Sequence, residues 1–350
     1  MDVAKLNGLE LSENYGDVRA QHRALCESAG ILDFTVRGRL CLAGGDRVRF
    51  LHGQVTNDIK SLGVGAGCYA ALITAKGKMQ SDLNIYCLPE ELLLDFEPGL
   101  NAIVSERLQK YVIADDVQII DVAPNFGLLS VQGPKAESVI RAVGIGDDLP
   151  TKAFGFVRKP ETDFGEIHVM NQARLGTSGF DLLVATDQVK ALKKKLVWAA
   201  KSADGCECGS EAFEVARIEA GIPRFGADMD DTINPLEAGL EERAISFNKG
   251  CYIGQEIISR IRTYSEVAKA LRGLRLEDDL KKSPNKGDKL FHDGKEAGFV
   301  TSATASPTLK ANIALGYVKR EVNQLGTELT LRTADGESRV RIVELPFVKG

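Results

Sequence analysis

From about residue 269 to its end the chain carries only short β-type runs and no apolar segment of helical period, so its last part is restricted to an all-β unit. The runs are Leu271–Leu276, Lys289–His292, Ala297–Ser302, Ile313–Val318, Glu328–Arg332 and Arg339–Leu345. Asp293-Gly294 and Asp335-Gly336 separate neighbouring runs and supply the residue types that tight hairpin turns demand. Evenly spaced short strands with such turns predict a small β-barrel, which leaves no open sheet edge.

The part before it reads as an approximate repeat. β-type runs at Arg39–Ala43, Cys68–Thr74, Met79–Cys87, Leu92–Phe96 and Val117–Val122 surround two helical stretches. The first helix is predicted to start with Asp46 as N-cap and to bury Val48, Leu51 and Val55; the second follows Pro98-Gly99 with Ile103, Leu108 and Tyr111. The resulting order is β-α-β-β-β-α-β. It recurs in part as a strand at Phe126–Val131, a helix over Lys135–Val143 opened by Pro134, strands at Glu166–Met170 and Phe180–Ala185, and a helix over Asp187–Ala200. Ser202-Ala-Asp-Gly205 then reads as a linker to a helix at Ser210–Ala220. This mixed order predicts an α+β fold rather than a doubly wound parallel sheet. The expected division is a domain over 1–265, made of modules at about 30–122 and 126–265, and a barrel over 266–350.

Composition narrows the function. A net charge of −5 over 350 residues argues against general nucleic-acid binding, and no direct DNA binding is expected. Lys193, Lys194 and Lys195 form a local basic run that also suits the solvated face of a helix. No stretch approaches the length of a membrane span, and the first residues lack a signal-peptide core, so a cytoplasmic protein is expected. The seven scattered cysteines suit a reducing compartment, and the four histidines offer no zinc spacing.

Lys249-Gly-Cys-Tyr-Ile-Gly-Gln-Glu256 is the stretch that carries most chemistry. Its glycines permit a tight loop, and Gln255–Ile261 reads as a helix with Ile257, Ile258 and Ile261 turned inward. Cys251 thus precedes a helix N-terminus and lies near Lys249, and both would favour its thiolate. A small buried core cysteine is the alternative. Other motifs fail. Asp228-Met-Asp-Asp-Thr-Ile-Asn234 starts like a calcium loop, but Ile233 occupies the required glycine position and Gly239 the closing glutamate. Gly63-Val-Gly-Ala-Gly67 has no helix after it and is not a dinucleotide fingerprint. Cys206-Glu-Cys208 reads either as part of a metal or redox site with Cys251 or as a surface loop.

Lys249–Glu256 resembles the signature of the YgfZ family, a branch of the glycine-cleavage T-protein superfamily linked to iron–sulfur protein maturation. Gly53-Gln-Val-Thr-Asn-Asp58, Ala75-Lys-Gly-Lys-Met79, Arg217–Pro223, Asp228–Glu237, Ala297–Ala303 and Ile313–Val318 extend the resemblance over roughly residues 30 to 345. It implies a T-protein-like fold, two related modules around a folate cavity plus the barrel, and tetrahydrofolate or a one-carbon derivative as cofactor. It also implies assistance to iron–sulfur assembly or repair in client proteins, RNA-modifying enzymes among them. The alternative it leaves open is a folate-dependent aminomethyltransferase, or a relative acting on N-methylated amines; a non-catalytic folate sensor is a third reading.

The resemblance also places residues. Asp82, in Lys76-Gly-Lys-Met-Gln-Ser-Asp-Leu83, matches the carboxylate that T-proteins hold near the folate's reactive nitrogens, with Ser81 replacing a preceding aspartate. Asp181, in Arg174-Leu-Gly-Thr-Ser-Gly-Phe-Asp181, matches the pterin-binding acid in shortened form. Arg174 stands where T-proteins have a tyrosine and is a candidate for the folate tail or a neighbouring anion; Phe213 replaces a T-protein arginine. Cys251 is the candidate for cluster or thiol chemistry, with Lys249, Gln255 and Glu256 shaping its loop. No metal-ligand set is expected.

Overall fold

The structure, a computed structural model, describes residues 5–6, 9–10, 16–264, 267–277, 280 and 282–349. The expected domain boundary at 265/266 lies outside the described residues.

Two sheets of related topology make up most of the chain. The first has five strands in the order Gly67–Ile73, Met79–Cys87, Glu91–Phe96, Gly38–Ala43, Gln118–Asp121, with helices Arg47–Gln54 and Asn101–Gln109 in its connections. The second runs Phe156–Thr162, Gly165–Asn171, Gly179–Ala185, Phe126–Gln132, Gly30–Asp33, Cys206–Glu207. In chain order both contain β-α-β-β-β-α-β, so the repeat is complete. The second copy gains the strand Phe156–Thr162, whose Pro160 interrupts the β pattern but is tolerated because the strand lies at the sheet edge. It also admits one foreign strand, Gly30–Asp33, which pairs antiparallel with Phe126–Gln132 and parallel with Cys206–Glu207. The expected linker at Ser202–Gly205 therefore leads into a paired edge strand rather than a free loop.

Each helix covers a sheet through one apolar stripe. In Val189–Lys201 the residues Val189, Leu192, Leu196, Ala199 and Ala200 are buried, at three- and four-residue spacing. They join Leu129, Val131, Val169 and Leu182 in one core, where each full-sized aliphatic side chain contributes roughly 1.5–3 kcal/mol by burial. Cys41, Tyr86 and Leu93 of the first sheet pack with Leu128, Met170 and Leu183 of the second in another. Asp46 does not cap its helix as expected: it has αR backbone and no capping bond, and its carboxylate accepts from the Asp116 N–H at 3.0 Å. A helix at Val18–Glu27, capped by Asp17, was not anticipated; it buries Gln21, His22, Ala24 and Leu25 on one side.

The chain divides into two compact units. One holds Met1–Ile73, Gln80–Phe213 and Arg243–Ile253; the other holds Thr74–Met79, Glu214–Glu242 and Gly254–Gly350. Within the second, Lys269–Leu276, Ala311–Lys319, Lys295–Ser306, Lys289–His292, Glu328–Thr333 and Gly336–Val343 close into the expected barrel. Asp293 and Gly294 both have positive φ, as the hairpin requires. Arg217, fully buried, donates to Asp228, to Glu214 at 2.6 Å and to Ser302 at 2.7 Å, while Asp228 also accepts from Thr301 at 2.6 Å. The acidic segment that imitates a calcium loop thus has a structural task, tying its first carboxylate to a guanidinium and a barrel strand. Asn234 donates to the Gly77 carbonyl at 2.8 Å, and Gly77 has positive φ at the tip of the Thr74–Met79 turn.

Candidate active site

A cluster of buried charges lies in the first unit, on strands of both sheets and on the connections beside them. Asp95, next to last in Glu91–Phe96, accepts from Arg37 Nε at 2.8 Å and Nη2 at 3.0 Å, from Asn84 at 2.8 Å and from Arg174 Nη2 at 3.0 Å. Arg37 also donates to Glu97. Arg174 engages Asp181 twice over, Nε to Oδ2 at 2.9 Å and Nη2 to Oδ2 at 2.6 Å, and Nε reaches Oδ1 at 3.2 Å. The guanidinium sits 5.0 Å from the centre of the Phe34 ring, which meets Phe213 edge-on at 5.2 Å. Burial pushes the Asp95 carboxyl up, but Arg37 and Arg174 together hold it well below the usual range. For Asp181 burial prevails, and its carboxyl is raised despite Arg174.

Arg174, expected to meet the folate tail or a neighbouring anion, and Asp181, expected to bind the pterin, are bonded to each other. Asp181 is 1% exposed, and a ligand that took its carboxylate would have to share it with, or take it from, Arg174. Arg37, Asp95, Glu97 and Asn84 were not singled out from sequence. Asp95 was the one legible hint, since a carboxylate within an otherwise apolar strand needs a partner.

Asp82 differs from the other carboxylates. It lies on Met79–Cys87, its Oδ2 accepts from the Tyr69 hydroxyl at 2.8 Å, and its buried Oδ1 has no partner. Burial, and next the charge of Glu97, raise it to about 6, while the Tyr69 bond pulls the other way. Tyr69 in turn lies under Arg243, 5.5 Å from the ring centre. A carboxyl poised near neutrality with one open acceptor can take a proton from a ligand or return it. The open atom also suits a ligand N–H, as folate nitrogens offer.

Lys249 and Cys251 have separate tasks. The Lys249 side chain is buried and gives its ammonium to three backbone carbonyls, His52 at 2.6 Å, Val55 at 2.7 Å and Asn57 at 2.7 Å. These lie at or just past the C-terminus of Arg47–Gln54, where carbonyls lack helical partners and a cation is favoured. Burial lowers the Lys249 ammonium to about 8. Further bonds join the same two segments: Ile253 N–H to Gly53 at 3.1 Å, Ser246 N–H to Thr56 at 3.0 Å, and the Thr56 hydroxyl to Ala244 at 2.6 Å. Lys249 is thus a clamp between Gly53–Asp58 and its own loop. Cys251 is exposed, alone among the seven cysteines, all of which are described. Gln255 and Glu256 open the helix Gln255–Tyr264, with Glu256 exposed in its first turn.

Comparison with known proteins agrees with this arrangement of sheets and barrel. Residues 2–249 match the model of the GCVT N-terminal domain, and residues 269–349 match that of the glycine cleavage T-protein C-terminal barrel domain. The chain belongs to the glycine-cleavage T-protein family. It is similar to the aminomethyltransferase of Geobacillus thermodenitrificans (strain NG80-2), 30% identical over 350 residues that cover 99% of this chain and 94% of that one. The aminomethyltransferase of Bacillus subtilis (strain 168) is 28% identical over 342 residues, covering 98% and 94%. The crystal structure of glycine cleavage system aminomethyltransferase T from Bartonella henselae shares the family fold, with a TM-score of 0.87 at 22% identity over 98% of this chain and 92% of that one. Among the described residues no helix is long and apolar enough to cross a membrane.

Proposed function

We propose that this chain binds a reduced folate and catalyses transfer of a one-carbon unit involving it, as an aminomethyltransferase or a relative acting on N-methylated amines. The observation that carries this is Asp82, with one oxygen held by Tyr69, the other unpartnered and buried, and a carboxyl raised to about 6. Folate supplies the nitrogens that accept the carbon unit. Asp82 would orient such a nitrogen at Oδ1 and hold or release the proton exchanged during transfer, while Tyr69 keeps the carboxyl in one rotamer. The Phe34 and Phe213 rings offer apolar walls beside the Asp181–Arg174 pair, the candidate pterin anchor. The named relatives support this reading, and we place the folate chemistry in residues 1–265, the barrel in 266–350, and the protein in the cytoplasm.

The test supplies purified protein with tetrahydrofolate and either an aminomethyl-lipoyl carrier or an N-methylated amine together with a two-electron oxidant, which the methyl-to-methylene step requires, and follows methylenetetrahydrofolate. Formation of product that Asp82→Asn abolishes is the expected result. Calorimetry without folate binding, together with no turnover of either donor, would overturn it.

One observation favours a second reading, the YgfZ-type assistance to iron–sulfur client or assembly proteins. Lys249 pins the loop while Cys251 alone among the cysteines is exposed, which suits a thiol offered to another protein. On that reading Cys251→Ala retains folate binding but lowers iron–sulfur enzyme activity in cells, RNA-modifying enzymes included. Full activity of those enzymes in that strain would remove it.

A further inference from the structure

Cys206 and Cys208 fall outside the chemistry proposed above. They flank Glu207 at the edge of the second sheet, where alternate residues share one face, and their sulfurs lie 4.0 Å apart within a thiol hydrogen bond. Cys206 is half-buried and Cys208 almost fully buried at 2% exposure, so one sulfur is reachable and the other waits behind it. The Cys206 N–H donates to Ala29 at 3.2 Å and the Cys208 N–H to Ile31 at 2.8 Å, which fixes both residues along the start of the neighbouring strand and the residue before it. The place of the inner sulfur is built by a glycine: a Cβ at Gly30 would stand 2.8 Å from Cys208 Sγ. Two residues of extended chain span roughly 6.6 Å from one Cα atom to the next but one, within the range that a disulfide bridges.

We propose that Cys206 and Cys208 form a reversible dithiol–disulfide couple, with Cys206 the attacking and Cys208 the resolving thiol, and a hydroperoxide as oxidant. The Cys206 thiolate attacks the peroxide: an S–O bond forms, the O–O bond breaks, and the departing hydroxide takes a proton and leaves as water. Cys208 sulfur then displaces the oxygen from Cys206: the S–S bond forms, the S–O bond breaks, and a second water leaves. Two thiols lose two electrons and hydrogen peroxide becomes two waters.

The surroundings support this order. The hydrogen bond from Cys208 brings the Cys206 thiol down to about 7 against the effect of burial, with Arg23 and Lys201 assisting and Glu207 opposing. The same bond and burial push Cys208 well up, so it remains a thiol until the outer sulfur is oxidised. Only the outer sulfur has to react with a solute.

The test treats the full-length reduced protein with hydrogen peroxide, blocks remaining thiols and maps the peptides. The expected product is a peptide containing both residues, lighter by two hydrogens and restored by dithiothreitol. Cys206→Ser should leave Cys208 reduced, and Cys208→Ser should give a sulfenate at Cys206 that dimedone captures. Recovery of both residues as free thiols after Cys251 has been oxidised would overturn the proposal. So would oxidation of Cys208 in Cys206→Ser to the same extent as in the wild type. If Cys208→Ser fails to fold, the wild-type map and the Cys206 variant still decide.

Discussion

Replacing Asp82 by asparagine should remove the one-carbon chemistry and stabilise the protein, and the second effect can be worked from the structure. The carboxyl moves from its ordinary 3.8 to about 6 on folding, because burial and Glu97 disfavour its charge. Below pH 4 the group is protonated in both states and nothing is lost. Between 4 and 6 the folded chain binds more protons than the unfolded one, so stability falls as pH rises, and above 6 the whole loss is present. At about 1.4 kcal/mol per pH unit the interval corresponds to roughly 3 kcal/mol, an upper bound that relaxation and water reduce to ~1–2 kcal/mol. Asparagine is isosteric, can still accept from Tyr69, and carries no charge to be buried beside Glu97. Urea denaturation of both proteins should therefore show Asp82→Asn more stable at pH 8 and equal at pH 3.5. A variant less stable at pH 8, or a difference independent of pH, would show that Asp82 is an ordinary ionised carboxylate and would remove the argument for its proton-transfer role.

The clamp and the buried ion pair give further expectations. Lys249→Met leaves three carbonyls without their donor and should cost ~2–4 kcal/mol, with hydrogen exchange faster at 52–57 and 249–253 than elsewhere. Arg174→Met strands the Asp181 charge and should cost ~3–5 kcal/mol in thermal denaturation, most of it recovered when Asp181→Leu is added. Cys251→Ala should change stability by no more than ~0.5 kcal/mol, since the side chain is exposed; a larger loss would mark it as a packing residue.

What could be read from the chain and what could not divide along the distance between partners. The barrel was legible because its turns are local: Asp293-Gly294 announces its hairpin in two adjacent residues. The strand Phe156–Thr162 was missed because Pro160 contradicts the local pattern, and only its edge position excuses it. The site was half legible. Asp82 and Asp181 were singled out through the resemblance, yet Glu97 and Arg37, which act on Asp82, and Asp95, which acts on Asp181, lie outside the motifs that carry them. Arg37 and Asp95 are 58 residues apart, and no periodicity joins them. The partners of Lys249 were hidden for the same reason. Its neighbour along the chain is Cys251, whereas its partners in space are carbonyls more than 190 positions earlier.

The borrowed strand Gly30–Asp33 has a consequence for the order in which the protein can be made. It occupies a slot in the second sheet between Phe126–Gln132 and Cys206–Glu207, and so it must wait for chain that leaves the ribosome much later. Until then the apolar side chains of Ile31 and Leu32 have no sheet to enter, although the first sheet can already assemble without them. A cut at residues 123–125 would likewise not yield two self-sufficient halves. The later piece would lack an interior strand and expose the facing edge of Phe126–Gln132, and the earlier one would keep a strand without a partner. The two copies are alike in topology but interlocked in synthesis, and the second is complete only when residue 207 has arrived.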